Sequence, residues 1–212
     1  IYYHGGYWRG GSKEDNCSFA PTFVERGVNV VIVEYDLCPK VTVTEIVRQA
    51  RASIAWVYRN IERYDGDPQK IYISGHSAGG QLAAMILAHD WQREGLPQNL
   101  VKGAVLTSGV YDLDMVMRIA VNDEIRMTPE LVQDNSPFLH PPLPTCPILV
   151  GVGGAEPKGW QRMSEEFFNF CKERGLDCQY LVVPGANHFT LPEHLADPDS
   201  PLTQAMFRQM GV

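Results

Sequence analysis

Short runs of apolar residues, many of them β-branched, recur along the chain and alternate with segments that have helical spacing. The six runs are Ile1–Tyr3, Val28–Glu34, Lys70–Ser74, Gly103–Thr107, Ile148–Val152 and Cys178–Val183. A continuous apolar run such as 28–33 is typical of a strand that is buried on both faces. Strands that alternate with helices form mostly parallel, twisted sheets with helices on both sides. The sequence therefore predicts an α/β fold.

The clearest helix is predicted from Thr44 to Tyr64, because its apolar residues return at helical spacing and share one face. These residues are Ile46, Ala50, Ile54, Val57 and Ile61. Thr42 and Glu45 have the spacing of a capping box at the start of this helix. The turn residues 65–68 end it. A second long helix is predicted from Trp160 to Arg174.

The segment Leu113–Pro144 interrupts the alternation, because it is too long for an ordinary connection between two strands. It combines two short helical stretches, Met115–Val121 and Thr128–Gln133, with a proline-rich end from Pro137 to Pro144. Open α/β folds bind their ligands at the carboxyl edge of the sheet. We therefore expect a cap-like insertion (113–144) over that edge, within a single domain that spans residues 1–212.

Charge and cysteine content narrow the classes of partner and compartment. The 212 residues carry a net charge of −7 without clusters of Lys or Arg, which argues against nucleic acid or an anionic membrane as a partner. Five cysteines without a C-x-x-C pair argue against a disulfide framework or a structural zinc site and favour a cytoplasmic location.

No apolar stretch reaches the ~18 residues of a membrane span. The chain opens inside a predicted strand without Met or a signal peptide, so we expect upstream strands to be missing.

A serine lies between two glycines where a predicted strand gives way to a helix. The motif is Gly75-His76-Ser77-Ala78-Gly79, and a helix-forming run from Gln81 to His89 follows it. Glycine on both sides permits a turn tight enough to push Ser77 out of the sheet. Since the five-residue pattern also occurs by chance, its place between strand and helix carries the inference. We predict that Ser77 is a nucleophile.

A serine hydroxyl needs a base to remove its proton near neutral pH. His188 directly follows the last predicted strand, where a loop at the carboxyl end of that strand would face Ser77. We predict His188 as the base, with His194 as the main rival. The other histidines are expected elsewhere: His76 turned away by the elbow, His4 pinning its own loop, His89 in packing or at the surface, and His140 among prolines of the insertion.

The base needs a carboxylate that holds its tautomer and stabilises its charged form. In this layout the acid lies between the serine and the histidine in sequence. Glu156 fits, because it follows the strand Ile148–Val152 through a glycine-rich turn and so lies at the carboxyl end of that strand. Asp177 is the fallback, but it begins a strand and belongs to the opposite edge. The glycines at 151–154 lack the spacing of a phosphate-binding loop and are predicted as turn residues only.

Backbone N–H groups can stabilise the negative charge that develops on a carbonyl under attack. The loop after the first strand, with Gly5, Gly6 and Tyr7, can bring such groups close to the reacting carbonyl. Ala78 supplies a second donor as the residue after the nucleophile. The large side chains of Tyr7 and Trp8 are equally consistent with anchoring this loop and with lining an acyl or aromatic pocket.

Together these motifs resemble the α/β-hydrolase superfamily, in the branch that holds kynurenine formamidase and hormone-sensitive-lipase-type carboxylesterases, over nearly the whole chain. The matching segments are residues 4–8 (HGGYW), 35–39 (YDLCP), 75–80 (GHSAGG), 108–113 (SGVYDL), 136–137 (SP) and 187–189 (NHF). His-Gly-Gly-x-Trp is typical of the formamidase branch, whereas the lipase-type esterases usually have a third glycine where Tyr7 stands. Family formamidases often carry Asp where this chain has Glu156, a change that keeps the role but lengthens the side chain.

The resemblance implies a serine hydrolase of small esters or aryl formamides that works through an acyl-enzyme and needs no metal or organic cofactor. It also implies a homodimer and three weaker pocket candidates, Tyr111, Phe138 and Phe189, each equally consistent with ordinary packing. The choice between formamide and ester stays open, because elbow motifs do not encode the leaving group. The competing hypothesis is a catalytically inactive protein of the same fold that binds ligands or other proteins.

Overall fold

The computed structural model describes all residues, 1–212, and has a six-stranded sheet at its centre. The strands are β1 (Tyr2–Tyr3), β2 (Ile32–Val33), β3 (Ile71–His76), β4 (Val101–Thr107), β5 (Ile148–Gly153) and β6 (Cys178–Val183). Their order across the sheet is β2-β1-β3-β4-β5-β6, and every neighbouring pair is parallel. The predicted α/β fold with a mostly parallel sheet is confirmed.

Helices cover both faces of this sheet. They are α1 (Ala20–Val24), α2 (Val43–Asn60), α3 (Ala78–Leu87), α4 (Asn122–Ile125), α5 (Pro129–Asn135), α6 (Lys158–Glu173) and α7 (Pro201–Met210). Short 3-10 helices occupy Ile61–Tyr64, Trp91–Glu94, Asp114–Arg118 and Pro192–Ala196. The larger apolar core lies under α2, α3 and α6, and the smaller one under α1 and α7. None of the helices is both long and apolar enough to cross a membrane.

The edge of the sheet differs from its predicted form. The run 28–34 was expected to be a strand buried on both faces, but only Ile32 and Val33 pair with β1, and most of the run is half-buried or exposed. The reason is its position, because β2 is the outermost strand and its single neighbour β1 has only two residues in the ladder. The interior strands β3, β4 and β5 are almost fully buried, as continuous apolar runs predict.

Helix α2 begins and ends close to the predicted positions. Thr42 accepts a hydrogen bond from the backbone N–H of Glu45 at 3.3 Å, as an N-cap should. The Glu45 carboxylate binds Arg48 and Gln49 instead of reaching back to Thr42, so half of the predicted capping box forms. The last predicted turn is a 3-10 helix that ends at Asp65, where φ is 58°.

Strand order places the carboxyl ends of β1 and β3 side by side. The chain runs outward from β1 to β2 and then returns to β3 on the other side of β1, so the direction of winding reverses between β1 and β3. Such a switch point opens a crevice outside the carboxyl ends of the strands. The loop that follows β1 carries Gly5–Trp8, and the turn that follows β3 carries Ser77. The fold therefore brings the predicted donor loop to the predicted nucleophile.

The segment 113–144 leaves β4 at this same edge and returns to β5. It contains a 3-10 turn at Asp114–Arg118 and the short helices α4 and α5, which agree only in part with the predicted helical stretches. Asn135 at the end of α5 donates a hydrogen bond to Thr44 of α2 at 2.7 Å. Arg9, just after the β1 loop, forms an ion pair with Glu124 at 2.8 Å.

Replacement of Gly79 by alanine should destabilise the fold strongly. A Cβ on Gly79 would lie 1.9 Å from the carbonyl oxygen of Tyr3, and backbone on both sides of this contact cannot move aside. We expect Gly79→Ala to lower the free energy of unfolding by about 3 kcal/mol or more, measured by urea denaturation.

Gly159→Ala is the matched control, because a Cβ there meets nothing within 4 Å and the residue lies in helix α6. It should leave the free energy of unfolding unchanged or raise it by up to about 1 kcal/mol. Equal stabilities of the two variants would contradict the close contact between α3 and β1.

Candidate active site

Ser77 occupies a strained turn between β3 and α3. Its backbone has φ 57° and ψ −117°, a conformation that costs a non-glycine residue on the order of 1–3 kcal/mol. The flanking glycines make the turn sterically feasible, since a Cβ on Gly75 would lie 2.2 Å from the carbonyl oxygen of Gly79. The N–H of Ser77 donates to Thr107 O at 2.9 Å, which ties the turn to the end of β4. The local geometry is that of a nucleophile elbow.

Glu156 and His188 are in direct contact. Glu156 follows β5, His188 lies in the loop after β6, and His188 Nδ1 lies 2.8 Å from Glu156 Oε2. The Glu156 side chain has no exposed surface, and that of His188 is 16% exposed. An ionised carboxylate can only accept, so His188 Nδ1 carries a proton and donates it. His188 Nε2 is then left with a free lone pair that can accept a proton.

Two further donors hold the other oxygen of the Glu156 carboxylate. Ser108 Oγ donates to Glu156 Oε1, and the Gly153 N–H donates to the same atom at 2.9 Å. Burial alone would raise the pKa of Glu156, but the hydrogen bonds from His188, Ser108 and Gly153 outweigh it and lower the pKa below its usual value. Glu156 is therefore ionised at neutral pH, as an orienting carboxylate must be.

Two aromatic rings pack against the imidazole of His188. The Trp160 ring lies 4.2 Å away between centroids, tilted by 32°, and the His76 ring lies at 4.5 Å. The expectation that the elbow turns His76 away is wrong, because the loop after β6 crosses the end of β3 and meets the His76 side chain there. Burial lowers the pKa of His76 to about 3, and the charge of His188 adds to this effect. His76 is consequently a neutral neighbour of His188.

No hydrogen bond joins the Ser77 hydroxyl to His188, whose ring bonds only to Glu156. Ser77 is 3% exposed, and its neighbour in sequence, His76, touches the His188 ring. Hydrogen bonds between a nucleophile and its base are often long in a free enzyme and shorten when substrate binds. The elbow and the Glu156–His188 pair thus lie at one edge of the sheet, with the hydroxyl not yet bonded to the imidazole.

The loop Gly5–Trp8, called the oxyanion loop below, presents unpaired backbone donors beside Ser77. The N–H groups of Gly5, Gly6, Tyr7 and Ala78 bond to no acceptor within the protein. A Cβ on Gly5 would lie only 3.2 Å from Cβ of Ser77, so this backbone passes directly beside the serine. Free donors at this distance can bind an anionic oxygen that develops on a substrate held at Ser77.

His4 anchors the oxyanion loop to the core. The His4 imidazole is fully buried and stacks on Tyr35 with ring centroids 4.2 Å apart. The Tyr35 hydroxyl donates to the His4 carbonyl at 2.7 Å. Burial lowers the pKa of His4, so its ring is neutral. His4 therefore holds the loop, in agreement with its predicted role, and lies away from the Glu156–His188 pair.

The four side chains considered for a substrate pocket have different positions. Trp8 and Tyr111 are fully buried, and Tyr111 stacks on Phe167 with centroids 3.8 Å apart. A pocket role for these two is wrong, because a side chain without exposed surface cannot line a site open to substrate. Phe138 is half-buried and packs edge-on against Phe167 at the border of the core. Phe189 is 85% exposed and lies at the rim beside His188.

The two rival residues lie elsewhere. His194 belongs to the 3-10 helix Pro192–Ala196, and its carbonyl accepts hydrogen bonds from Ser200 and Thr203. Asp177 precedes β6 at the amino edge of the sheet, where its carbonyl accepts from the first residue of β5. Neither contacts Glu156 or His188. A cavity of about 320 Å³ also lies at the amino edge, beside Ile1 and Tyr72, and none of the predicted site residues lines it.

Three residues of the site were not found from the sequence: Ser108, Trp160 and His76 in its contact with His188. Ser108 comes directly after β4. Because parallel strands end at one edge, this position could have placed Ser108 at the same edge as Ser77 and Glu156. Trp160 lies in the first turn of α6 and reaches His188 only because that turn lies beside the loop after β6. No local pattern identifies such a contact.

Comparisons with known proteins agree with this fold and site. A family model described as the alpha/beta hydrolase fold matches residues 1–191. Kynurenine formamidase from Salmo salar is 38% identical over 100% of this chain and 72% of its own length, and the protein of the same name from Danio rerio is 34% identical with the same coverage. The crystal structure of EstE1, a carboxylesterase cloned from a metagenomic library, superposes with a TM-score of 0.80 at 23% identity, over 99% of this chain and 78% of that one.

The chain belongs to the α/β-hydrolase family. Within that family it is similar to kynurenine formamidases over its whole length, which confirms the resemblance predicted from its motifs. The likeness to EstE1 shows the fold alone.

Acid should destabilise the protein partly through His76. The unfolded residue has an ordinary pKa near 6.5, whereas the folded one has a pKa of about 3, so between these values the unfolded chain binds more protons and stability falls as pH falls. We expect His76→Asn to remove on the order of 3 kcal/mol from the stability difference between pH 7 and pH 4, measured by urea denaturation at each pH.

The measured quantity is the change in the free energy of unfolding between pH 7 and pH 4. A loss of stability that is the same at both pH values therefore does not affect the result. His140→Gln, a change to a half-buried histidine in the segment between α5 and β5, is the control and should keep the wild-type dependence of stability on pH. Parallel curves for His76→Asn and the wild type would contradict the buried, neutral state of His76.

Proposed function

We propose that this protein hydrolyses aryl formamides or small carboxylic esters through an acyl-enzyme formed on Ser77. The observation that carries the proposal is the buried pair of Glu156 and His188, which leaves His188 Nε2 free beside the Ser77 elbow. The class, a hydrolase of ester or amide bonds, is confirmed by the relatives in the family. The roles of individual residues are part of the proposal.

In the first stage Ser77 Oγ attacks the substrate carbonyl carbon and its proton passes to His188 Nε2. Glu156 stabilises the imidazolium that forms. The carbonyl oxygen becomes anionic and faces the unpaired N–H groups of the oxyanion loop, together with that of Ala78. When the C–N or C–O bond to the leaving group breaks, His188 returns the proton to the departing nitrogen or oxygen.

In the second stage water takes the place of the leaving group. His188 removes a proton from this water, which attacks the formyl or acyl carbon bound to Ser77. The same N–H groups stabilise the second anionic intermediate. Collapse of that intermediate breaks the bond to Ser77 Oγ, and His188 returns the proton to the serine. The carboxylic acid leaves, and the enzyme is restored without a further reactant.

The surroundings of His188 favour an aromatic leaving group. A leaving nitrogen or oxygen must come within hydrogen-bond distance of His188 Nε2 to receive its proton. A ring attached to that atom therefore lies next to the side chains around His188, which are Trp160, Phe189 and, across Trp160, Tyr7. Aromatic pairs of this kind contribute about 0.5–1.5 kcal/mol beyond burial. This favours aryl formamides, the substrate class suggested by the formamidase relatives.

Charge and cysteine content support proposals about the partner and the location. The net charge of −7 supports a small molecule as the partner, and it disfavours nucleic acid or an anionic membrane surface. The cytoplasmic location, the homodimer and the role of residues 113–144 as a cap within a single domain stay predictions. Light scattering of the purified protein tests the dimer.

A fluorophosphonate probe should label the wild type and fail to label Ser77→Ala. The probe traps a serine that is activated by a base, so His188→Ala should slow labelling by about 100-fold or more. Mass spectrometry of the adduct identifies the labelled residue. Absence of labelling in well-folded wild-type protein would instead support the inactive ligand-binding alternative.

Trp160→Leu should reduce the preference for aryl formamides over alkyl esters. We expect the ratio of kcat/KM for N-formylkynurenine to that for methyl butyrate to fall about 3- to 10-fold, because the aromatic contact acts on the aryl leaving group only. Trp56→Leu, at an exposed position on α2, is the control and should keep the wild-type ratio. If the wild type hydrolyses esters but does not cleave N-formylkynurenine, the formamidase activity is contradicted and only the carboxylesterase activity remains.

A further inference from the structure

A buried polar side chain of helix α3 holds the oxyanion loop. The indole Nε1–H of Trp8 donates a hydrogen bond to Gln81 Oε1 at 3.1 Å. Both residues have no exposed surface, so water cannot replace this bond. Trp8 is the last residue of the oxyanion loop, and its side chain is the part of that loop that reaches helix α3.

The second half of the Gln81 amide is also paired. Gln81 Nε2 donates to the backbone carbonyl of Asn135 at 2.9 Å, and Asn135 is itself 1% exposed. An indole N–H can only donate and a carbonyl can only accept, so the orientation of the amide is fixed by its two partners. A glutamine fulfils both requirements, whereas an apolar side chain of the same shape would leave a buried donor and a buried acceptor without partners.

The backbone of the oxyanion loop needs such an anchor, because three consecutive residues have positive φ. The values are 114° for Gly6, 50° for Tyr7 and 55° for Trp8, and only glycine adopts this region without steric cost. A strained backbone persists only where surrounding contacts determine it. On the backbone side, Trp8 O accepts from Cys38 N at 2.7 Å. On the side-chain side, the determining contact is the bond to Gln81.

Gln81 is also part of the rigid element that carries Ser77. The N–H of Gln81 donates to the carbonyl of Ser77 at 3.2 Å, at the first turn of α3. Ala78, whose free N–H faces the same site, lies in that turn. The two groups of oxyanion donors come from separate parts of the chain, the loop after β1 and the turn after β3. Gln81 joins them through one side chain.

We propose that Gln81 is a positioning residue, which sets the N–H groups of Gly6 and Tyr7 at the correct distance from Ser77 and from the N–H of Ala78. The inference rests on the proposed function, because an oxyanion must form for these donors to matter. Gln81 acts through Trp8 and touches neither the substrate nor the reacting atoms.

Gln81→Met tests this role, since methionine keeps the shape and removes both hydrogen bonds. Donors of an oxyanion hole bind the transition state more tightly than the substrate, so kcat should fall about 10- to 100-fold while KM changes less than about 3-fold. Thr44→Val is the matched control, because it removes the hydrogen bond from Asn135 in the same polar chain but leaves Trp8 anchored. The control should keep the wild-type kcat.

A folded Gln81→Met variant with the wild-type kcat would overturn the positioning role and leave the proposed function intact. A wild type that neither reacts with a fluorophosphonate nor turns over substrate would overturn the proposed function instead. A fall in kcat of Thr44→Val equal to that of Gln81→Met would also overturn the inference, because the effect would then arise from general loosening of the core.

A measurement on the wild type keeps the inference testable should Gln81→Met fail to fold. Nitrogen-15 NMR resolves the indole N–H signals of the four tryptophans. The Trp8 proton should exchange with solvent at least about 100-fold more slowly than that of Trp56, which is 49% exposed. Exchange of Trp8 at the rate of Trp56 would show that the bond to Gln81 is not maintained and would overturn the role.

Discussion

The backbone of helix α3 meets the end of strand β1 at a distance that leaves no room for a side chain. Gly79 lies against the carbonyl of Tyr3, and Gly75 lies against the carbonyl of Gly79. Strand, turn and helix are therefore one close-packed unit, and the strained turn at Ser77 cannot relax by moving the helix away. The same contact brings the loop after β1 beside the serine, so the donors and the proposed nucleophile owe their proximity to this approach of two backbones.

A buried negative charge connects the rest of the site. The Glu156 carboxylate is removed from water, which is costly unless each oxygen is paired. Its donors come from the ends of three neighbouring strands: Ser108 after β4, Gly153 at the end of β5, and His188 after β6. A shift in any of these loops would leave part of the charge unpaired. The ionised carboxylate thus adds to the backbone hydrogen bonds that fix the relative positions of these loops.

The sequence predicted the features that depend on local pattern and on the rule that parallel strands end at one edge. Local pattern predicted the interior strands and the elbow. The shared edge of parallel strands predicted that Glu156 pairs with His188 rather than with His194. The edge strand at 28–34 was overestimated, because pairing there depends on how long its neighbour is. The role of Trp8 stayed open between anchor and pocket, because a bulky aromatic in a loop can point into the core as easily as toward a ligand. Only its partner, Gln81, decides between the two.

The neutral ring of His76 bears on the path of the proton in the proposed mechanism. During turnover His188 would carry a proton taken from Ser77, and a second imidazole lies in contact with it. A histidine of ordinary basicity at that place could draw this proton off into the interior and leave the leaving group without one. With a pKa of about 3, His76 stays unprotonated at neutral pH. In the proposed mechanism the proton on His188 is therefore not passed to His76, and it returns to the substrate.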